Sequence, residues 1–167
     1  MMSNEEWLDE REQRAWRGFY TMQRHLRRRL NQRLQRHSGL SEADYAVLVA
    51  LSEAPGGRLR AFQLATVTQW EKSRLHHQLG RMVDRGLVVR EPCPEHPRGS
   101  VVALSEAGRD AIVSAAPLHV ADVRRHFVDL LTPAQLDAVA EISETVLAVL
   151  DGAPDEGADP LPATERG

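Results

Sequence analysis

A chain of 167 residues, 42% of them apolar and with a formal net charge of −3, can bury one substantial core and predicts one compact folded unit. It contains no run of 18 apolar residues, and its N-terminal MMSNEEWLDEREQ is acidic where a signal peptide is basic and then apolar. A membrane-spanning role is disfavoured and a cytoplasmic location is expected. A lone Cys93 excludes an internal disulfide and a site built from several thiolates.

The modest net charge conceals strong segregation. Residues 13–41 carry eight arginines and no acid, and residues 57–90 carry seven basic side chains against Glu71 and Asp84, a net +5. Segments 1–12 and 151–167 each set five acids against one arginine, −4 apiece. Local positive faces of this kind meet a polyanion regardless of the overall balance.

Along the chain, Trp16, Phe19, Tyr20, Leu26, Leu30 and Leu34 recur at helical spacing, interrupted by Gln23, and predict a long amphipathic helix over about 13–37 with an arginine-rich opposite face. HSGLSEAD stops that helix at Gly39 and starts another with a Ser41/Asp44 capping box and a Leu40/Tyr45 staple. The second helix runs to about Glu53, before AlaProGlyGly. LRAFQLATVTQ (59–69) reads as a short helix and a turn, after which Thr68 and Glu71 have capping-box spacing.

The next helix begins in WEKSRLHHQLGRM, residues 70–82, which contains the chain's only lysine. Leu75, Leu79, Met82 and Val83 form its apolar face, leaving Lys72, Ser73, His76, His77, Gly80 and Arg81 on the others, and Gly86 sits where a left-handed cap is expected. LVVRE (87–91) and SVVAL (100–104), joined by a proline-stiffened tip, predict a β-hairpin. Ser105 opens a helix to about Leu131, with Pro117 expected to kink it. LTPAQL (131–136) carries a Thr132 cap with Pro133 at the first helical position, and that helix ends near Leu150. The acidic, Pro- and Gly-rich remainder is expected to be disordered. A short helix and turn leading into a cationic helix and then a two-stranded wing is the winged helix-turn-helix arrangement.

The segments LATVTQWEKSRLHHQLGRMVDRGLVVRE and PRGSVVALSEAGR resemble those of MarR-family transcriptional regulators over roughly residues 13–150. Helix, wing and the closing LSEAGR together are a fairly specific signature, whereas the helix-turn-helix alone is a weak one. The resemblance implies a mainly α fold with a small β-hairpin wing, in which N- and C-terminal helices form a dimerisation platform. It divides the chain into an acidic extension (1–12), a helical dimerisation region (13–40 and 105–150), a winged helix-turn-helix DNA-binding region (41–104) and the tail (151–167). It further implies a homodimer, double-stranded DNA as partner and a small-molecule effector pocket between platform and winged helix, which Trp16, Tyr20 and Tyr45 are candidates to line. Core packing is preferred to pocket lining for each of those three aromatics, and Trp16, Phe19 and Tyr20 are expected in the core or the dimer seam. One departure is that the family wing usually has an acidic residue two positions before its arginine, where this chain has His96 before Arg98, with Glu95 adjacent.

From the residues themselves, the N-terminal half of a recognition helix enters the major groove, where Arg and Lys donate to guanine O6 and N7. Lys72, Arg74, His76, His77 and Arg81 are the candidates, with Ser73 and the first helical amides suited to phosphate. The alternative is an ordinary solvated face. Arg98 at the wing tip suits the minor groove or a phosphate. His76 and His77, about 100° apart around a helix, cannot ligate as a pair. His119, Asp122 and His126, at i, i+3 and i+7, are a weak candidate zinc site, and a metal-responsive regulator using them is an alternative reading. Solvated or paired side chains are the preferred account of those three.

Cys93 lacks the positive neighbours of a redox thiol. No nucleophile elbow, phosphate-cradling glycine loop or paired catalytic carboxylate occurs, so neither an enzyme nor a cofactor is expected. The reading is a homodimeric, ligand-responsive repressor on a pseudo-palindromic operator. A winged-helix module that binds only protein is the other alternative.

Overall fold

The computed structural model describes residues 7–93 and 96–152, with side chains 96–98 excepted. It divides into two compact units, one ending at His126 and one beginning at Phe127, where a single unit was expected. The break falls where the helix beginning at Glu106 gives way to a short 3₁₀ turn at Val128–Leu130.

The first unit opens with α1 (Glu10–Ser38), which starts three residues earlier than the apolar periodicity indicated. Asp9 and Glu12 form a reciprocal capping box, each accepting a backbone N–H at 2.8 Å. Acids that looked like part of an extension are thus the first turn of a helix, where the positive dipole end favours them. Gly39, at φ 67°, ends α1. Then α2 (Glu42–Glu53) begins with the expected capping box, the Asp44 N–H donating to Ser41 Oγ at 3.0 Å and the Ser41 N–H to Asp44 Oδ2 at 2.8 Å.

After Pro55–Gly57 the chain forms a strand that the sequence did not reveal, β1 (Arg58–Arg60), before α3 (Ala61–Thr68) and α4 (Lys72–Asp84). Strands β2 (Val88–Cys93) and β3 (His96–Leu104) are longer than the two apolar runs. The sheet is three-stranded and antiparallel in the order β1-β3-β2, with Leu59 opposite Val102 and Val88 opposite Leu104. A three-residue strand holding two arginines lacks any period-2 apolar signal, so its existence depends on the partner strand.

The expected capping box at Thr68 and Glu71 does not form. Thr68 is the last residue of α3, and its hydroxyl donates back to the Leu64 carbonyl at 2.7 Å. Glu71 occupies the cap position of α4 without a side-chain capping bond. A threonine hydroxyl satisfied by the preceding turn is no longer available to the following one.

The core of this unit gathers Val47, Leu48 and Leu51 from α2, Leu64 from α3, Leu75, Leu79 and Met82 from α4, Val88 and Val102 from the sheet and Ile112 from the helix that follows. That helix, α5 (Glu106–His126), runs through Pro117 without interruption and ends five residues before the expected Leu131. The Ser105 hydroxyl caps it, accepting the Gly108 N–H at 2.9 Å while donating to the Gly86 carbonyl at 2.6 Å. Arg33 Nε donates to Asp122 Oδ1 at 2.9 Å, joining α1 to α5.

Helix α4 is tied to α2 by a buried polar group. Asp44, 3% exposed, accepts from Gln78 Nε2 and from Arg85 Nη1, each at 2.7 Å. Arg85 also donates to the Gly39 carbonyl at 2.9 Å. Burial alone would raise the Asp44 pKa, but the Ser41 amide, the Arg85 guanidinium and the Ser41 hydroxyl together outweigh it and hold the carboxyl below its ordinary 3.8.

The second unit contains α6 (Pro133–Leu150), which starts as expected with a Thr132/Gln135 capping box and Pro133 in its first turn. The expected disordered tail falls, from residue 153 onward, outside the described residues.

Two stability predictions follow from this packing. A methyl group on Gly108 would overlap the Leu87 carbonyl oxygen and lie 3.1 Å from Leu104 Cδ1, so Gly108→Ala is expected to cost about 1–3 kcal/mol or more in a urea titration. Asp44→Asn should destabilise by about 1–3 kcal/mol at neutral pH. Because the Asp44 pKa is lower in the folded chain than in the unfolded one, its contribution is present above the unfolded value and lost as pH falls through the folded one. The gap between wild type and Asp44→Asn should therefore narrow in titrations at about pH 3; a constant gap would show that the ionised carboxylate is not the stabilising species.

Candidate nucleic-acid interface

The turn between α3 and α4 is made by a residue seldom used for the purpose. Gln69 sits at φ 55°, ψ 38°, the only non-glycine with positive φ among the described residues. Its N–H and that of Trp70 reach back to the carbonyls of Thr66, at 3.2 Å, and Ala65, at 3.1 Å. These bonds close the end of α3 and aim the chain into α4. A left-handed non-glycine residue costs about 1–2 kcal/mol, which the surrounding bonds offset.

Burial along α4 then sorts the side chains by helical period. Leu75, Gln78, Leu79 and Met82 face inward, and Lys72, Ser73, Arg74, His76, His77 and Arg81 are exposed. The structure thus brings together on one helix all six of the residues that the sequence nominated there. Val83, expected on the apolar face, is exposed instead, and Gln78, at i+3 from Leu75, turns inward and uses its amide to reach Asp44.

The exposed side chains are held in different ways. Arg74 stacks its guanidinium over the Trp70 ring, 4.4 Å from the centroid. Arg81 Nη2 donates to Gln78 Oε1, so the bond from Gln78 to Asp44 continues out to the surface. The His76 and His77 rings lie edge to face with centroids 6.0 Å apart. Arg90 of β2, which sequence reasoning passed over, places Nη1 3.3 Å from His76 Nδ1 and Nη2 3.3 Å from the Ser100 hydroxyl. A basic residue on the first strand after a cationic helix was the available signal. The Arg98 side chain lies outside the described residues.

Trp16, Tyr20 and Tyr45 do not line a common cavity in the described chain. Tyr20 borders an open groove of about 330 Å³ on α1, with Arg24, Arg27, Arg28 and Glu42. Trp16 borders a separate recess with Trp7 and Arg17, and Tyr45 packs against His119, ring centroids 4.5 Å apart. Of the core or the dimer seam, the core is excluded for two of the three: Trp16 and Tyr20 are 57% and 53% exposed, and only Tyr45 packs against the core. Among the described residues the aromatic face of α1 stays exposed, Phe19 at 51% with the other two.

His119, Asp122 and His126 do not converge either. The Asp122 carboxylate is engaged by Arg33, His126 Nδ1 lies 2.8 Å from the Asp122 backbone carbonyl, and burial against Tyr45 and its surroundings lowers the His119 pKa, partly opposed by Asp122 and Glu42. Among the described residues no three such groups gather as a metal site. Cys93 is buried at the end of β2.

A MarR-family model matches residues 38–99, the span from the end of α1 through α4 and into the wing. No curated protein sequence matches the chain. Among solved structures, AbsC, a MarR family transcriptional regulator from Streptomyces coelicolor, is 43% identical over 88% of this chain and 99% of its own, with a TM-score of 0.83. Sco3205, a MarR family transcriptional regulator from the same organism in complex with DNA, is 38% identical over 92% and 96%, with a TM-score of 0.85. A mutant MarR from E. coli complexed with operator DNA shares the fold at 24% identity, covering 78% of this chain and 91% of its own with a TM-score of 0.71. Identity of this extent over nearly the full length, on a fold with an outward cationic helix, establishes that the chain belongs to the MarR family of transcriptional regulators.

Proposed function

We propose that the protein is a cytoplasmic, homodimeric repressor that binds a pseudo-palindromic operator and is released by a small-molecule effector. The observation that carries the DNA-binding part is the outward face of α4, where Lys72, Ser73, Arg74, His76, His77 and Arg81 are all exposed on a helix whose first turn has no side-chain cap. Uncapped amides at a positive dipole end suit a phosphate, and the basic side chains beyond them suit guanine edges. The 38% identical Sco3205 was solved with DNA, which supports the same use here. Arg90 joins the interface through His76, and Arg98 would extend it into the minor groove. No catalytic role is proposed.

Dimerisation is supported by unsatisfied apolar surface. Trp16, Phe19, Tyr20 and Met22 on α1, and Ile142, Val146, Leu147, Val149 and Leu150 on α6, are all exposed. Contiguous exposed faces of this type mark interfaces, and two identical winged helices then read half-sites about 34–36 Å apart. An effector that favours another spacing would release the DNA, because only one state engages both half-sites. No helix among the described residues is long and apolar enough to cross a membrane.

Selection of duplexes from a randomised pool tests the reading. Enrichment of a two-fold symmetric sequence, bound with steep salt dependence, is expected, and recovery of no preferred sequence would refute operator recognition. On the enriched duplex Arg74→Ala should cost about 1–3 kcal/mol if Arg74 reads a base; an equal loss on all sequences would reassign it to phosphate. Val146→Asp should shift sedimentation from dimer towards monomer, and an unchanged species would place the interface elsewhere.

A further inference from the structure

Trp70 lies outside the set of exposed polar residues that a recognition helix offers to DNA, yet it controls one of them. We propose that Trp70 is a positioning residue that pre-sets Arg74 for guanine recognition by stacking on its guanidinium, an inference that rests on the base-reading role of Arg74 given above.

The ring is well placed to be a fixed platform. Trp70 immediately follows the left-handed Gln69, its N–H donates to the Ala65 carbonyl at 3.1 Å, and its side chain is partly buried and packed against the core. Arg74 follows four residues later, in the first turn of α4, with its guanidinium carbon 4.4 Å from the ring centroid. A stack of this kind engages only the face of the guanidinium. Its five N–H groups lie in the plane and stay free to donate as a fork, the geometry that guanine O6 and N7 require.

The other arginines around α4 show the contrast. Arg85 spends edge donors on Asp44 and Gly39, Arg81 on Gln78, and Arg90 on Ser100. Among the described residues no carboxylate pairs with Arg74. Arg74 is therefore ordered without loss of hydrogen-bonding capacity. A long side chain already restrained loses less freedom when it meets the base, so the stack should contribute to affinity on the right sequence rather than on every sequence.

The test is a double-mutant cycle on the full chain, using a duplex enriched by the wild type and a random-sequence duplex of equal length. Trp70→Leu keeps an apolar group against the core and removes the ring. It should weaken binding to the enriched duplex about two- to thirtyfold, the span of exposed to desolvated cation–π contacts, with little change on random sequence. Trp70→Phe should restore most of the loss, and Trp70→Leu should add little in an Arg74→Ala background. Losses that multiply in the double variant, or that fall equally on both duplexes, would overturn the proposal while leaving the role of Arg74 intact. If Arg74→Ala itself leaves discrimination unchanged, the base-reading role fails and the proposal with it. A readout independent of DNA is the Arg74 side-chain resonances of the free protein, expected to be ring-current shifted upfield; unshifted resonances would also overturn the proposal, even if Trp70→Leu proved too unstable to assay.

Discussion

The Asp44 carboxylate is almost wholly removed from solvent, and a charge in that position is tolerated only because every side of it is met by a donor. The donors come from three places in the chain: the Ser41 amide at the start of α2, the Gln78 amide group in the middle of α4, and Arg85 at its end. Arg85 in turn reaches the Gly39 carbonyl that closes α1. One side chain thus fixes the rotation of α4 about its own axis relative to the junction of α1 and α2. Leu75, Leu79 and Met82 would bury themselves in several slightly different rotations, since apolar contact is not directional. Hydrogen bonds to Asp44 are directional, and they select the rotation that turns Lys72, Arg74, His76, His77 and Arg81 outward.

That orientation gives local electrostatics their meaning. A chain of net charge −3 presents a cationic helix because its acids lie mostly elsewhere, only Glu71 and Asp84 falling at the two ends of α4, and some are paired, as Asp44 is with Arg85 and Glu91 is with Arg58. The arginines that remain on this side differ in what they still have to give. Arg85 is committed to the scaffold by its edges, Arg81 has one edge donor on Gln78, and Arg74, held through its face, retains its full set of donors. Counting positive charges would treat these side chains as equivalent.

The apolar aromatics of α1 show the opposite situation, in which the described residues leave apolar surface exposed. Trp16, Phe19 and Tyr20 cluster together, with ring centroids 6.2 and 6.3 Å from Trp16, and remain about half exposed. Aromatic surface of that extent is costly in water. The apolar face of α6 is similarly uncovered. These two faces are the surfaces that the proposed dimer would cover.

Much of this was legible in the residues alone, for reasons that are local. Caps at Ser41 and Thr132, the stop at Gly86 and the inward spacing of Leu75, Leu79 and Met82 are set by hydrogen bonds and periodicity within a few positions, so the helices and the outward residues of α4 could be read directly. Gly108 in the closing motif is a point where α5 presses on the Leu87 carbonyl, a contact that no local signal announces. Strand β1 exists because β3 offers it a ladder, and Thr68 bonds backwards rather than forwards. The burial of Gln78, the face-on stack of Arg74, the approach of Arg90 to His76 and the engagement of Asp122 by Arg33 all depend on partners distant in sequence or on rotamers set by packing. The sequence by itself determined which segments are helices and which family they serve, because those signals are written at short range. Only the tertiary structure decided which polar side chains are committed to the scaffold and which remain free for a partner, because that is settled by where hydrogen-bond donors and acceptors meet in space.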